Sequence, residues 1–104
     1  MRNGMRPIHP GEVLREEFLG PLGMSALALA NALAVPANRI SSILKETRGV
    51  TADTALRLAR YFGTTPEFWL GLQQAFDLRV AEREAGAKIR RAIRRAPTHK
   101  RSAA

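Results

Sequence analysis

The sequence contains no cysteine, which excludes a disulfide framework and any zinc site built on thiolates. Aromatic residues are scarce as well: one Trp, one Tyr and four Phe occur among 104 residues. Most of the 45% hydrophobic content comes from Ala and Leu, a composition more typical of helices than of sheets. At this length we expect one small all-α domain with a modest core.

Long apolar runs are also missing. No stretch approaches the roughly 20 apolar residues of a membrane span. The N-terminal part of the sequence does not show the apolar core and cleavage site of a secretory signal peptide either. We therefore expect a cytoplasmic protein with no membrane contact.

Residues that could catalyse or bind a metal are few and scattered. Neither His9 nor His99 has a second histidine or an acid at a ligand spacing, and we expect His9 to be a local cap or a solvated side chain. Glu16 and Glu17 are adjacent, so they point about 100° apart on a helix and do not face one substrate together. Because a Gly-rich phosphate loop is missing as well, we predict no catalytic residue, no metal site and no cofactor.

Acidic residues are absent from the last part of the chain, and this decides where the charge lies. Residues 88–104 contain seven Lys and Arg, whereas residues 1–87 contain ten Lys and Arg against nine Asp and Glu. The net charge of +8 therefore belongs mainly to the tail, which suggests contact with a polyanion. The tail also contains Ile89 and Ile93, four residues apart, and could wrap DNA, contact RNA, fold on an acidic partner or stay solvated.

What the sequence does contain is a pair of short helical patterns within residues 25–44. Ser25 is a good N-cap for the first helix, and Pro36 suits the first position of the second. Each helix has an apolar face at helical spacing, with Leu29 and Leu33 in the first helix and Ile40, Ile43 and Leu44 in the second. Two short helices joined by a tight turn are typical of a helix-turn-helix, whose second helix enters the major groove of DNA. An ordinary helical hairpin with a solvated outer face is the alternative.

The outer side of the second helix has residues suited to reading bases. Asn38 can pair with an adenine edge and Arg39 with a guanine edge, each through two hydrogen bonds. Ser42 can bond to either, and Ala37 is small enough to touch a thymine methyl group. We therefore predict that these four residues contact bases.

Residues next to this pair of helices are candidates for phosphate contact. The N-terminus of the first helix, at Ser25, could hold a phosphate through its free N–H groups and its positive dipole end. Lys45, Thr47 and Arg48 follow the second helix directly. They either contact phosphates, which orients the protein without reading sequence, or keep a loop soluble.

Three further helical patterns flank the helix-turn-helix. The first starts at Pro10, and we expect Gly20-Pro21 to end it. The second has Thr51 as its N-cap and Gly63 just beyond its end. The third begins at Thr65-Pro66 with a cap followed by proline.

The third of these helices is rich in large apolar residues for a core of this size. We expect Phe68 and Leu72 to close the core, with other large side chains of the helix partly outside. The predicted dimer or partner surface comprises Trp69, Leu70, Phe76 and Leu78. Full burial of all these residues is the alternative. A two-fold dimer would suit DNA reading, since paired domains meet the two half-sites of a palindrome.

Four stretches of the sequence, in their order and spacing, match the pattern of a known family. They are H-P-G-E-V-L-R-E-E-F-L-G-P-L-G at 9–23, L-A-N-A-L-A-V at 29–35, G-V-T-A-D-T-A-L-R-L-A at 49–59 and F-G-T-T-P-E-F-W-L-G-L-Q at 62–73. Together they resemble the HigA antitoxin family, a branch of the lambda-repressor-like helix-turn-helix proteins. The resemblance implies a compact five-helix domain and a homodimer. It also implies an operator near the protein's own gene, which the protein binds to repress transcription, and a HigB-type toxin, an mRNA-cleaving ribonuclease, which it neutralises.

The resemblance adds Ser41 to the predicted base-reading residues, and it places Ser25 and Lys45 toward the DNA backbone. The chain departs from the family at two positions. Ala26 stands where Gln is common, which removes one expected polar contact to DNA. Ala34 stands in the turn where Gly is common, so a positive φ there would cost about 1 kcal/mol.

We divide the chain into a flexible N-terminus at 1–7, a helix-turn-helix DNA-binding domain at 8–85 and a basic, partly disordered tail at 86–104. Together with the helix-turn-helix pattern, the resemblance implies a sequence-specific DNA-binding antitoxin of a type II toxin–antitoxin module. A stand-alone helix-turn-helix repressor without a toxin partner is the alternative.

Overall fold

The computed structural model describes residues 6–97, and every regular element in that range is a helix. The predictions for residues 1–5 and 98–104 lie outside the described residues. Helix α1 comprises Pro10–Val13, Leu14–Leu19 and Gly20–Leu22, α2 is Ala26–Leu33, α3 is Ala37–Leu44, α4 is Ala52–Phe62, and α5 comprises Pro66–Ala81, Glu82–Gly86 and Ala87–Ala92. The all-α prediction with five helices is confirmed. None of the helices in the described range is both long enough and apolar enough to cross a membrane.

Helix α1 begins as predicted and ends later than predicted. His9 is its N-cap, and the Gly11 N–H donates to the imidazole Nδ1 at 2.8 Å. The prediction that Gly20-Pro21 ends the helix is wrong. The segment Leu14–Leu19 is a π-helix, whose hydrogen bonds reach one residue further than in an α-helix, and this wider register accommodates a proline that has no N–H to donate. The helix ends instead at Gly23, which has a φ of 62°.

The connection between α2 and α3 has the tight geometry of a helix-turn-helix. Ser25 caps α2, because its hydroxyl oxygen accepts a hydrogen bond from the Ala28 N–H at 3.0 Å. Ala34 ends α2 in the left-handed region at φ 58° and ψ 47°, so the positive φ anticipated for this alanine is present. Pro36 is the N-cap of α3 and not its first helical residue, because its ψ of 147° is extended, and the helix starts at Ala37.

The core fills the space between the five helices. Its largest fully buried aliphatic side chains are Leu14, Leu29, Ile40, Ile43 and Leu58. Trp69 of α5 is fully buried among them, and its ring lies 5.1 Å from the ring of Phe18. The indole Nε1 donates to the Thr64 hydroxyl at 2.8 Å. The large ring is therefore buried without leaving its N–H unpaired.

The prediction that Trp69 belongs to a partner surface is therefore wrong. Its neighbour Phe68, which was expected in the core, is 40% exposed and contacts the indole edge-on at 5.0 Å. Both residues lie at helical spacing from Leu72, one at i−3 and the other at i−4. The periodicity of α5 by itself therefore did not separate the buried ring from the exposed one.

Helix α5 is continuous from residue 66 to residue 92 and passes through the predicted domain boundary at residue 86. Gly86 is buried with a helical φ of −57°, and the Glu82 carboxylate packs where a Cβ would stand. Glu82 also pairs with Arg90 at 2.7 Å, two turns further along. The helix ends at Ile93, which is extended. The described part of the predicted tail thus begins as an extension of the last helix and not as a separate segment.

Candidate nucleic-acid interface

Helix α3 has one buried side and one accessible side. Ile40 and Ile43 are fully buried and fix the helix against the core. The five residues predicted to read bases occupy the remaining arc: Ala37 and Asn38 are exposed, and Arg39, Ser41 and Ser42 are half-buried. Because residues four apart lie one above the other on a helix, Asn38 stands over Ser42, and Ala37 stands over Ser41. The accessible side is therefore a strip of small and polar side chains about two turns long.

Two contacts from α1 hold α3 in place. Gly11 packs so closely on the last turn of α3 that a Cβ would overlap the Ile43 carbonyl oxygen. Arg15 donates from Nη1 to the Leu44 carbonyl at 2.5 Å, and its Nη2 lies 3.5 Å from Glu46 Oε2. A cation therefore satisfies a carbonyl group at the helix C-terminus, where carbonyl groups lack helical partners. Sequence reasoning missed Arg15, because its partner lies 29 residues away.

An acid on α4 holds Arg39 at the edge of the accessible strip. Asp53 Oδ2 accepts from Arg39 Nη1 at 2.6 Å and from Arg57 Nε at 2.9 Å. Arg57 also donates from Nη1 to the Leu33 carbonyl at 2.8 Å, at the end of α2. The hydrogen bonds from Arg57 and Arg39 lower the pKa of the Asp53 carboxyl group. The carboxylate therefore stays ionised at neutral pH and links α4 to α3, while Arg57 links α4 to the end of α2.

The sequence contained only part of the signal for this cluster. Asp53 and Arg57 are four residues apart on one helix, a spacing typical of ion pairs. Within its own helix Asp53 lies in the first turn, where an acid is favourable. Its contact with Arg39 spans 14 residues and a change of helix, so it depends on how α3 and α4 pack.

The residues predicted to contact phosphates lie on two elements. Lys45, Thr47 and Arg48 are exposed together in the turn directly after α3, where Thr47 Oγ1 donates to the Ser42 carbonyl at 3.2 Å. Ser25 is exposed at the N-terminus of α2, with its hydroxyl engaged in the cap. Their contact with phosphate stays a prediction.

The loop after α3 is tied to α5 by a side chain that sequence reasoning did not single out. Gln73 Oε1 accepts from the Val50 N–H at 2.7 Å, and its Nε2 donates to Asp77 Oδ1 at 3.0 Å. A Cβ on Gly49 would come within 2.9 Å of the same amide. The loop after α3 is thus anchored to α5, and Arg57 of α4 anchors the end of α2 just before the turn into α3.

Of the predicted partner surface, the structure exposes two leucines of α5. Leu78 is 64% exposed and Leu70 is 36% exposed. Phe76 is half-buried, with its ring edge-on to the imidazole of His9 at 4.8 Å. Burial lowers the pKa of His9, which keeps the ring neutral so that Nδ1 can accept the hydrogen bond at the start of α1. His9 is therefore a buried cap and not a solvated side chain.

Known proteins share this arrangement of helices. The model of the family HTH_3, described as Helix-turn-helix, matches residues 14–69. Virulence-associated protein I of Dichelobacter nodosus is 58% identical to the chain over 83 residues. The matched part is 80% of this chain and 77% of that protein.

Two similar proteins have been solved with DNA. The antitoxin HigA of Pseudomonas aeruginosa with the higBA promoter has a TM-score of 0.84 at 47% identity, and the match covers 86% of this chain and 97% of that one. The antitoxin GraA in complex with its operator has a TM-score of 0.86 at 55% identity, with 94% and 99% covered. The likeness therefore includes sequence as well as fold.

Proposed function

The chain belongs to the HTH_3 helix-turn-helix family, among its HigA-type antitoxins, and on this basis we propose that it is a sequence-specific DNA-binding antitoxin of a type II module. It binds the operator of its own operon and represses transcription there. It also binds a HigB-type toxin and neutralises its mRNA-cleaving activity. The role is regulatory and not enzymatic.

The observation that carries the DNA-binding part is the rigid presentation of α3. A major groove admits one helix, and discrimination between bases requires side chains held at a fixed depth and angle. Close packing of Gly11 and the capping contact of Arg15 hold one end of α3, while the turn at Ala34 holds the other. Two similar proteins, HigA and GraA, are solved with promoter or operator DNA, which supports the same mode of binding here.

The contacts divide into base reading and positioning. We assign base contacts to Ala37, Asn38, Arg39, Ser41 and Ser42, because these residues form the accessible strip of α3. We assign backbone contacts to Ser25, Lys45, Thr47 and Arg48, which flank that strip on α2 and in the following turn. Phosphate contacts set the register on the duplex, and base contacts select the sequence.

We further propose that the chain acts as a homodimer on a palindromic operator. One α3 contacts only a few base pairs, and two copies about one helical turn apart double the contacts. The exposed leucines of α5, Leu70 and Leu78, supply apolar area for the two-fold contact.

Toxin neutralisation is supported by family membership, because both solved relatives are antitoxins by name. Its test is capture of the partner from the source cells. The full-length tagged chain is purified under native conditions with nuclease treatment, so that nucleic acid does not bridge unrelated proteins. We expect a small stoichiometric partner that arrests growth when expressed alone and not when co-expressed with the chain.

A matched variant separates the two activities. Asn38→Ala should lose repression of a reporter placed behind the chain's own upstream DNA, while it still rescues growth from the captured toxin. If no partner is captured and the chain alone retains its upstream DNA, the protein is a stand-alone repressor, and the antitoxin part of the proposal is wrong.

A further inference from the structure

We infer that Asp53 is a positioning residue for base reading: its carboxylate holds the Arg39 guanidinium so that one defined edge of the group meets DNA. This inference rests on the proposed DNA-binding function and adds a residue that does not itself face the bases. Asp53 lies on α4, whereas the bases are read from α3.

The contact with Arg39 is short and charged. Arg39 Nη1 lies 2.6 Å from Asp53 Oδ2, and 29% of the Arg39 side chain is accessible, against 55% for Asp53. Hydrogen bonds between two ionised groups are shorter and stronger than neutral ones. An arginine on an exposed helix usually samples many rotamers, and this contact selects a few of them.

Asp53 is itself fixed by a second arginine. Arg57 Nε donates to the same oxygen, Oδ2, at 2.9 Å. Arg57 Nη1 is anchored to the Leu33 carbonyl at 2.8 Å, where α2 ends. The carboxylate is therefore held in place by the turn of the helix-turn-helix, and movement of Arg39 away from it would leave Asp53 paired with Arg57.

The geometry determines which donors remain for DNA. A guanidinium has five N–H donors, and those on Nε and Nη2 form one edge of the group. Among residues 6–97, Asp53 is the acceptor that Arg39 contacts, and it takes Nη1. The edge formed by Nε and Nη2 therefore stays available, and two parallel N–H donors match the O6 and N7 acceptors of a guanine. Asp53 thus orients Arg39 for guanine and reduces the entropy lost when the base is bound.

A simpler role for Asp53 predicts the opposite result. If Asp53 were only an acid near DNA, its charge would repel phosphates, and Asp53→Asn would strengthen binding to every duplex. If Asp53 positions Arg39, the same variant weakens binding to the preferred sequence. The two roles therefore differ in the sign of the effect on the preferred duplex.

The experiment first defines the preferred sequence with the wild-type chain, by selection from a pool of random duplexes. Affinities for the selected duplex and for a scrambled duplex are then measured for wild type, Asp53→Asn, Arg39→Ala and the double variant. We expect Asp53→Asn to lower the ratio of selected to scrambled affinity by about tenfold, and to leave scrambled affinity equal or higher. In the Arg39→Ala background the same substitution should leave the ratio unchanged, because there is no guanidinium left to position.

Two controls keep the result specific. Glu17→Gln removes a charge from an exposed acid of α1, a helix to which no base contact is assigned, and should leave the ratio unchanged. Arg39→Lys keeps the positive charge without the planar edge, and should lose the preference while it retains scrambled affinity. Thermal unfolding of each variant confirms that the compared proteins are folded.

The possible outcomes distinguish failure of this inference from failure of the proposed DNA-binding function on which it rests. If the wild-type chain selects no consensus from the pool, the proposed sequence-specific function is wrong, and the inference is wrong with it. If a consensus appears but Asp53→Asn raises affinity for both duplexes alike, the function stands and the positioning role is wrong. An equal loss of ratio in the Arg39→Ala background would also overturn the positioning role.

Discussion

Basic side chains in two regions of this molecule differ in what holds them. Around the helix-turn-helix, Arg15, Arg39 and Arg57 donate to a carboxylate or to a carbonyl group at a helix end, at 2.5 to 2.9 Å. In the last part of α5 and directly after it, four basic side chains are exposed with no ion-pair partner among residues 6–97; they are Lys88, Arg91, Arg94 and Arg95. A guanidinium fixed by a hydrogen bond presents its remaining N–H donors in one orientation, whereas a guanidinium without such a partner contributes mainly its charge. We therefore expect Arg39, the base-reading member of the first group, to select sequence and the second group to raise affinity for any duplex.

The largest effect is expected when the four basic side chains without an ion-pair partner are replaced together. Gln at positions 88, 91, 94 and 95 removes the four charges, keeps a good helix former at the two positions within α5 and leaves the pair of Arg90 with Glu82 intact. The slope of log affinity against log salt should become shallower by up to about four units, because each phosphate neutralised contributes about 0.9. Filter binding of a selected and a scrambled duplex over a salt series measures it. A changed ratio between the two duplexes would show that the tail reads sequence.

A smaller and more selective effect is expected within the strip of α3. Asn38→Ala should lose roughly 1 to 3 kcal/mol on the selected duplex and relax the preference at one base pair, because an amide can pair with adenine through two hydrogen bonds. Lys45→Ala is the matched control, which should weaken all duplexes similarly and flatten the salt slope by about one unit. Unchanged specific affinity of Asn38→Ala would mean that α3 is not the helix in the groove.

A third prediction concerns the stability of the turn between α2 and α3, which Arg57 contacts. Ala34→Gly should raise the free energy of unfolding by about 1 kcal/mol, because glycine adopts the observed φ of 58° without strain. Gly63 ends α4 at φ 73° with open space around it, so Gly63→Ala should produce the opposite change. Denaturant titration measures both. Destabilisation by Ala34→Gly would contradict the strain assigned to that alanine.

The smallest effect concerns the cap of α1, which also supports α3. Burial lowers the pKa of His9 below its ordinary value of 6.5, so the unfolded chain binds more protons than the folded one below that pH. Stability from this group is fully present above about pH 6.5 and falls as the pH drops toward the lowered pKa. His9→Asn keeps a capping acceptor without a titration, and its melting temperature should lack this part of the pH dependence. Equal pH profiles for both proteins would contradict a neutral, buried His9.

Much of the fold follows from local interactions that the sequence displays directly. The caps at Ser25 and Thr65 and the left-handed end at Gly63 involve residues within a few positions of each other, so their geometry was predictable. The same holds for the accessible side of α3, since Ile40 and Ile43 identify the buried side by spacing alone. The candidate base-reading strip therefore needed no tertiary information.

Other features depended on partners that are distant in sequence. Trp69 and Phe68 share the helical spacing of a core residue, and the hydrogen bond from the indole to Thr64 accompanies the burial of Trp69. The contacts of Arg15 and Asp53 each join two helices across 14 to 29 residues, which no local pattern encodes.

The sequence by itself determined that this is a five-helix protein. It also determined that the third helix has an accessible strip of small and polar side chains, and that the excess charge lies at the C-terminal end. Only the tertiary structure decided that α1 continues past Gly20-Pro21, that α5 continues through Gly86, and that Arg39 is held by Asp53. The physical reason is the separation along the sequence over which each interaction acts. Periodicity, caps and turns arise between residues a few positions apart, whereas burial and ion pairing depend on which helix faces arrive at the same place when the core closes.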